Sequence, residues 1–170
     1  MAADASIVSP TPPPRPPPPP ASVPGYPGNW RRYQAVGGRF TVVGPGYPEE
    51  TFANGVHRAR FEDSGVTMTV DWFDEFAAPA SEVSHLVFDT KRALKRNPGT
   101  VSEQHAINIE GHPGVALRIQ GGLGGEGFFY VMRLFVVNGR SFQLAASIDP
   151  NRLQLRLIRA RLFLNSFALT

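Results

Sequence analysis

Cysteine is absent from the 170 residues, which removes disulfides, thiolate nucleophiles and cysteine-ligated zinc from the available chemistry. Charge is also scarce. Asp, Glu, Lys and Arg make up 18% of the chain, below the quarter or so usual for globular domains. A net charge of +3 and a pI near 9.7 are mildly basic and fall short of the clustered cationic footprint of a nucleic-acid binder. No run of 18 apolar residues occurs, so no spanning helix is expected. The longest apolar run, Phe128–Val137, is interrupted by Arg133 and reads as a strand. A charged n-region followed by an apolar stretch is missing, so no signal peptide is read. The opening Met1-Ala2-Ala3-Asp4-Ala5-Ser6 has the small residues that cleavage leaves behind, and the expectation is a trimmed N-terminus with Met1 added.

Apolar residues are plentiful at 42%, with 12 Phe and 2 Trp, enough to bury the core of one domain. Residues 1–29 stand apart. Nine of the 11 residues in 10–20 are proline. Proline fixes φ and lacks an N–H, so this block favours polyproline II, a semi-rigid spacer of about 3.1 Å per residue. It is read as a tether. Pro13-Pro14-Arg15-Pro16 also satisfies P-x-x-P, but any long proline run does so by chance.

From Trp30 onward the pattern is that of a folded domain, residues 30–170. Residues 30–35 and 39–43 read as short strands around Gly37-Gly38. After the turn Asn54-Gly55, His57, Ala59 and Phe61 alternate with charged residues. Asp63-Ser64-Gly65 turns the chain, and Val66, Met68, Val70 and Trp72 alternate back, a hairpin signature. Residues 104–109 and 114–120 flank the turn Gly111-His112-Pro113-Gly114. Phe128–Val137 and Arg140–Ile148 are joined by Asn138-Gly139, a pair in which both residues tolerate positive φ.

Two helices are predicted. The first, 81–97, has Ser81 as N-cap, Glu82 at the positive end of the dipole and cations in its last turn. Val83, Leu86, Val87, Thr90 and Leu94 recur at helical spacing as its buried stripe. The second, 150–165, opens on Asp149-Pro150, with Leu153, Leu157, Ala160 and Leu164 inward. The expected fold class is α+β: a mostly antiparallel sheet of about six to eight strands packed with these two helices.

Several phrases carry a resemblance. Gly38-Arg39-Phe40-Thr41-Val42 is followed by Gly44-Pro45-Gly46-Tyr47-Pro48; further on come Gly111-His112-Pro113-Gly114, Arg133-Leu134-Phe135-Val136-Val137-Asn138-Gly139-Arg140 and Phe163-Leu164-Asn165-Ser166-Phe167. Together they resemble the PsbP-like fold, an α-β-α sandwich shared by a photosystem extrinsic protein, a nuclear-import factor that binds a small GTPase, and bacterial envelope domains. The resemblance spans residues 30–169. It implies an antiparallel sheet between helices and no enzyme activity. No position here matches the metal-binding or GTPase-binding residues of those relatives, so neither function is carried over.

Residue patterns that could carry chemistry are few. Gly122-Leu123-Gly124-Gly125-Glu126-Gly127 matches G-x-G-x-x-G but precedes a strand, whereas a dinucleotide site needs it to open a helix. His57, His85, His105 and His112 form no metal-ligand spacing; His105 and His112 approach each other only if their strands pair suitably. Asp71, Asp74 and Glu75 cluster around aromatic residues, a pattern open to acid–base work but read as a solvated strand end. No serine sits in a nucleophile motif. The last helix carries Arg152, Arg156 and Arg159 at i, i+4 and i+7, with Arg161 alongside. Like charges so placed repel, and either carboxylates on the sheet or an anionic partner offsets them. No aromatic stacking platform is interleaved, which argues against nucleic acid. These readings lead to a non-enzymatic binding or accessory domain on a proline-rich tether, exported or envelope-associated, taking a protein or a small anionic ligand, with Arg152, Arg156 and Arg159 as the candidate partner-binding residues and no catalytic, metal or cofactor residue assigned. The alternative is an intracellular protein-interaction adaptor.

Overall fold

A computed structural model of the chain describes residues 22–74, 81–121, 127–151 and 153–170. The strands are β1 (Trp30–Gln34), β2 (Phe40–Pro45), β3 (Glu49–Ala53), β4 (Val56–Asp63), β5 (Val66–Asp74), β6 (Thr100–Ile109), β7 (His112–Gly121), β8 (Phe128–Val137), β9 (Arg140–Ile148) and β10 (Ala168–Leu169). Helix α1 (Glu82–Arg96) lies between β5 and β6, and α2 (Leu153–Asn165) between β9 and β10. Seven strands form one antiparallel sheet in the order β3-β4-β5-β9-β8-β7-β6, and β1-β2-β10 form a small second one. This is the expected α+β class. The strand β3 and the closure of the chain end onto β2 add to it.

The hairpins follow from local chemistry. At Asn138-Gly139 both residues take positive φ, 50° and 76°, the geometry a two-residue turn needs to match the twist of its strands. Asn54-Gly55 does the same, which is why the charged segment before it pairs as β3. Helix α1 is bounded as its caps dictate: Ser81 Oγ accepts the Ser84 N–H and Asn97 closes the C-terminus. Helix α2 begins at Leu153, later than Asp149-Pro150 implied, because Asp149 accepts the Asn151 N–H and caps the preceding turn instead.

The two faces of the large sheet bury different things. On one face Met132, Leu134, Val136, Val115 and Leu117 meet Leu86 and Ala93 of α1. On the other, Val66, Met68, Val70, Trp72, Phe142, Leu144, Ala146 and Ile148 meet Ala160, Phe163 and Leu164 of α2 and the small sheet. The architecture is therefore α1, large sheet, then α2 with the small sheet. The buried side of α1 is Leu86, Asp89 and Ala93. The predicted stripe is rotated: Val83 and Val87 are 57% and 50% exposed. Alanine at 93 lets the helix axis approach the sheet, and the Ser141 hydroxyl donates to Asp89 Oδ2 at 2.5 Å, so a short residue and a hydrogen-bonded polar one win the inner face.

Arg133 interrupts the apolar run of β8 for a reason visible here. It donates to the Leu164 carbonyl at 2.9 Å and to Asn165 Oδ1 at 2.5 Å, supplying a cation and donors to the C-terminal end of α2, where carbonyls lack partners. Ser166 accepts the Val43 N–H at 2.8 Å, joining the same helix end to β2.

Candidate functional site

One register position runs across the whole large sheet. Phe52 pairs with His57, His57 with Trp72, Trp72 with Phe142, Phe142 with Phe135, Phe135 with Gly114, and Gly114 with Ile107. Directly opposed residues share a face of the pleat, so this row is continuous on the α2 side. Its middle is sealed. Phe167, just after α2, stacks on Phe40 and Phe135 at ring separations of 5.3 and 5.9 Å, and Phe40 meets Trp72 edge-on at 5.1 Å. Its β3 end is open. The His57 ring stacks on Trp72 at 5.2 Å and 11°, Phe52 lies 4.3 Å beyond, and Phe52 is 65% exposed.

This open end lies at the pole of the sheet where four turns gather: Gly37-Gly38, Asn54-Gly55, Glu110-Gly111 and Asn138-Gly139. A recess of about 310 Å³ is lined by Val36, Phe52, His57, Trp72, Asp74 and Arg140. A second of about 490 Å³ shares Asp74 and Arg140 and extends to Arg39, Glu110, His112 and Asn138. Arg140 organises both. Its Nε and a terminal nitrogen donate to the two Asp74 oxygens at 2.6 and 3.1 Å, and its other terminal nitrogen donates to the Gly37 carbonyl at 2.5 Å, tying the β1–β2 turn to the main sheet. The hydrogen bond from Arg140 holds the Asp74 carboxyl below its ordinary range, with the Arg39 charge adding to the effect. Nearby, Glu82 at the start of α1 accepts the Asn138 N–H at 2.8 Å and faces His112 Nδ1 at 3.1 Å. Burial alone would raise the Glu82 carboxyl, but the Asn138 amide and the His112 ring together carry it below its ordinary value.

That contact makes an acid-sensitive clamp between α1 and two turns. A carboxyl lowered in the folded state stabilises the fold above its unfolded value, here near 4.5, and loses that contribution as pH falls through the folded value. The melting temperature is expected to drop between about pH 5 and about pH 3 by less in Glu82→Gln than in the unsubstituted chain; parallel curves from calorimetry would remove Glu82 from this role.

The other sequence candidates are dispersed. Asp71 is 5% exposed and faces the α1 side, where Arg58 holds it with two hydrogen bonds of 2.7 and 2.6 Å. Asp74 faces the opposite side, so no carboxylate pair forms between them; Glu75 lies outside the described residues. His105 pairs across from Ala116 while His112 pairs across from Ile109, which leaves the two histidines at different points along the hairpin. His105 meets Glu103 at 3.4 Å instead. Among the described residues no three His, Asp or Glu side chains gather as metal ligands. The glycine motif lies outside the described residues except Gly127.

For the arginine stripe, the structure supplies carboxylates. Arg159 hydrogen-bonds Asp63, and Arg156 donates to the Ser64 carbonyl and the Asp149 carbonyl at 3.0 Å each, with Asp149 Oδ2 also at 3.0 Å. Both guanidiniums brace the β4–β5 turn against α2. Arg152 lies outside the described residues. The aromatic row escaped the sequence reading because its open end sits in β3, whose Glu-Glu-Thr-Phe-Ala shows no alternation. The available signal was Asn54-Gly55: a two-residue turn demands a strand on both sides, which places Phe52 opposite His57.

A helix on one face of a seven-stranded antiparallel sheet, with a second helix and a small sheet on the other, defines an α/β/α sandwich. It is the PsbP-like fold. No family model matches the sequence and no curated protein matches it. Among solved structures the chain is similar to cyanobacterial PsbP (CyanoP) from Synechocystis, with a TM-score of 0.63 at 11% identity over 88% of this chain and 98% of that one. It is also similar to LpqN, involved in cell envelope biogenesis of Mycobacterium tuberculosis, with a TM-score of 0.51 at 14% identity over 85% and 80% of the two chains. At such identities the likeness is one of fold. Among the described residues no helix is long and apolar enough to cross a membrane.

Proposed function

We propose that the chain is a non-enzymatic binding domain, carried on its proline-rich arm at a bacterial envelope, and that it takes its partner at the turn pole. The observation that carries this reading is the open end of the aromatic row. Phe52, stacked through His57 onto Trp72, offers a rigid apolar contact beside the ordered Asp74–Arg140 pair. A stacked aromatic next to satisfied polar groups suits recognition; catalysis would need a nucleophile in hydrogen-bond reach of a base, whereas Asp74 is held by Arg140 and His57 is stacked between Phe52 and Trp72. The position of the arm supports the same reading. Val23 and Tyr26 pack on the core beside Trp30, whose indole donates to Asp63 at 3.1 Å. Asp63 and His57 stand at opposite ends of β4, about 20 Å apart at roughly 3.3 Å per residue, so an anchored arm leaves the turn pole pointing outward. The envelope placement takes its support from the fold and from LpqN's part in envelope biogenesis.

The stripe Arg152, Arg156 and Arg159 is the weaker partner surface, since Arg156 and Arg159 already have internal acceptors.

A photo-crosslinking residue at Phe52, in the full chain expressed in its source cells, tests this. The expected result is a discrete envelope-fraction adduct, absent when the crosslinker replaces Tyr47, an exposed aromatic outside the recesses. Identical adducts from both positions, or a chain found wholly in the cytosol with a cytosolic partner, would replace the proposal with the intracellular adaptor.

A further inference from the structure

The stripe Val83, Val87 and Leu94 has helical spacing, yet Val83 and Val87 stay exposed. Beside it the sheet ends. β6 is the last strand of the seven-stranded order, and its ten residues are exposed or half-buried throughout. Between them runs a groove of about 460 Å³, lined by Val87, Thr90, Lys91, Leu94, Gln104 and Ala106. Gln104 and Ala106 pair with Leu117 and Val115, which puts them on the α1 side of the sheet. Apolar helix, apolar floor and open strand edge therefore meet in one place, on a different surface from the turn pole.

Natural edges are blocked by lysine, proline, bulges or extreme shortness. The β6–β7 register shifts only between Val101 and Glu103. Residues 104–109 then run regularly with neither proline nor lysine. By contrast β3, the other edge, is five residues long and carries Glu49 and Glu50.

We propose that β6 is a docking edge, on which an extended, acid-flanked segment of a partner protein pairs as an eighth strand and lays alternate apolar side chains into the groove against α1. Each feature selects the occupant. An unpaired row of N–H and C=O groups accepts an extended backbone, and a groove along one face accepts every second side chain. Lys91 lines the helix side of the groove and is exposed, Lys95 one turn further along α1 is exposed as well, and neither has a carboxylate partner among the described residues. Glu103, the one acid of β6, is engaged by Arg118 and His105. The rim is therefore cationic and calls for acidic flanks. The same rim disfavours a second copy, because two-fold pairing of β6 would set lysines against lysines. The chain's own residues 10–20 are unsuited, since proline offers no N–H to the ladder.

The probe is a synthetic peptide of alternating threonine and valine with two glutamates at each end, added to the full chain. Hydrogen exchange should show added protection at the amides of residues 104–109. Lys91→Glu, and independently Val87→Asp at an exposed position, should each weaken binding about tenfold, and lysine-flanked peptide should bind more weakly than the glutamate-flanked one. Unchanged exchange of β6 at saturating peptide, no binding at about millimolar concentration, or affinity indifferent to both substitutions would overturn the proposal. So would a concentration-dependent dimer in sedimentation that Ala106→Pro abolishes, which would make a second copy the occupant.

Discussion

Replacing Phe167 by alanine is expected to cost about 3–5 kcal/mol of stability, the larger of the two main effects. Phe167 follows α2 and is 8% exposed. Its ring touches Phe40 of the small sheet and Phe135 and Phe142 of the large one, so it packs both sheets together from the chain end. Three elements enclose it, and none can collapse into the space independently: Phe40 is pinned against Trp72, and Phe135 and Phe142 are paired in register. Such a cavity relaxes poorly, which places the cost at the upper part of the aromatic-to-alanine range. The two residues after it, Ala168 and Leu169, pair with β2 and should fray in the variant, giving faster hydrogen exchange in β2 than in β8. Denaturant unfolding measures the loss. Phe52→Ala is the control: at 65% exposure it should cost less than about 1 kcal/mol. Equal losses would mean that the open end and the sealed middle of the aromatic row are not distinct.

Gly114→Val should cost about 3 kcal/mol, and Gly114→Ala about 1–3 kcal/mol. A Cβ at this position would lie 2.4 Å from Cδ1 of Phe135 and 2.8 Å from the Leu134 carbonyl oxygen. The ring could turn, but the carbonyl belongs to the β7–β8 ladder and cannot move without breaking register. Gly114 is thus the gap in the aromatic row that lets Phe135 lie flat over the sheet. Phe135→Leu in the same chain should recover part of the loss, with a coupling of about 1 kcal/mol or more between adjacent sites. Additive effects, or a neutral alanine, would show that the glycine serves the turn before it rather than the ring beside it.

Much of this architecture was legible along the chain. Asn138-Gly139 and Ser64-Gly65 announce hairpins because their residues accept positive φ, and Ser81 and Asn97-Pro98 bound α1 because backbone donors and acceptors must end on something. Alternation told β5 and β9 which side faces the core. The rotation of α1 was hidden: helical spacing offers two overlapping apolar stripes, and only the packed sheet chooses the one with Ala93 and Asp89. Likewise the sequence left open whether carboxylates or an anionic partner offset the arginines of α2; the β4–β5 turn brings Asp63 to Arg159 and the Ser64 carbonyl to Arg156, across a separation of 92 to 96 residues.

Sequence alone determined the local rules: which segments are extended, where they turn, where helices stop, and which reactions have no residues to support them. Those are near-neighbour properties, set by φ preferences, caps and alternation within a few residues. The tertiary structure decided what depends on distant pairing. It lined up Phe52, His57, Trp72, Phe142, Phe135, Gly114 and Ile107 across seven strands, sealed the middle of that row with Phe167 and left one end open. Register is a relation between strands, so no single strand contains it.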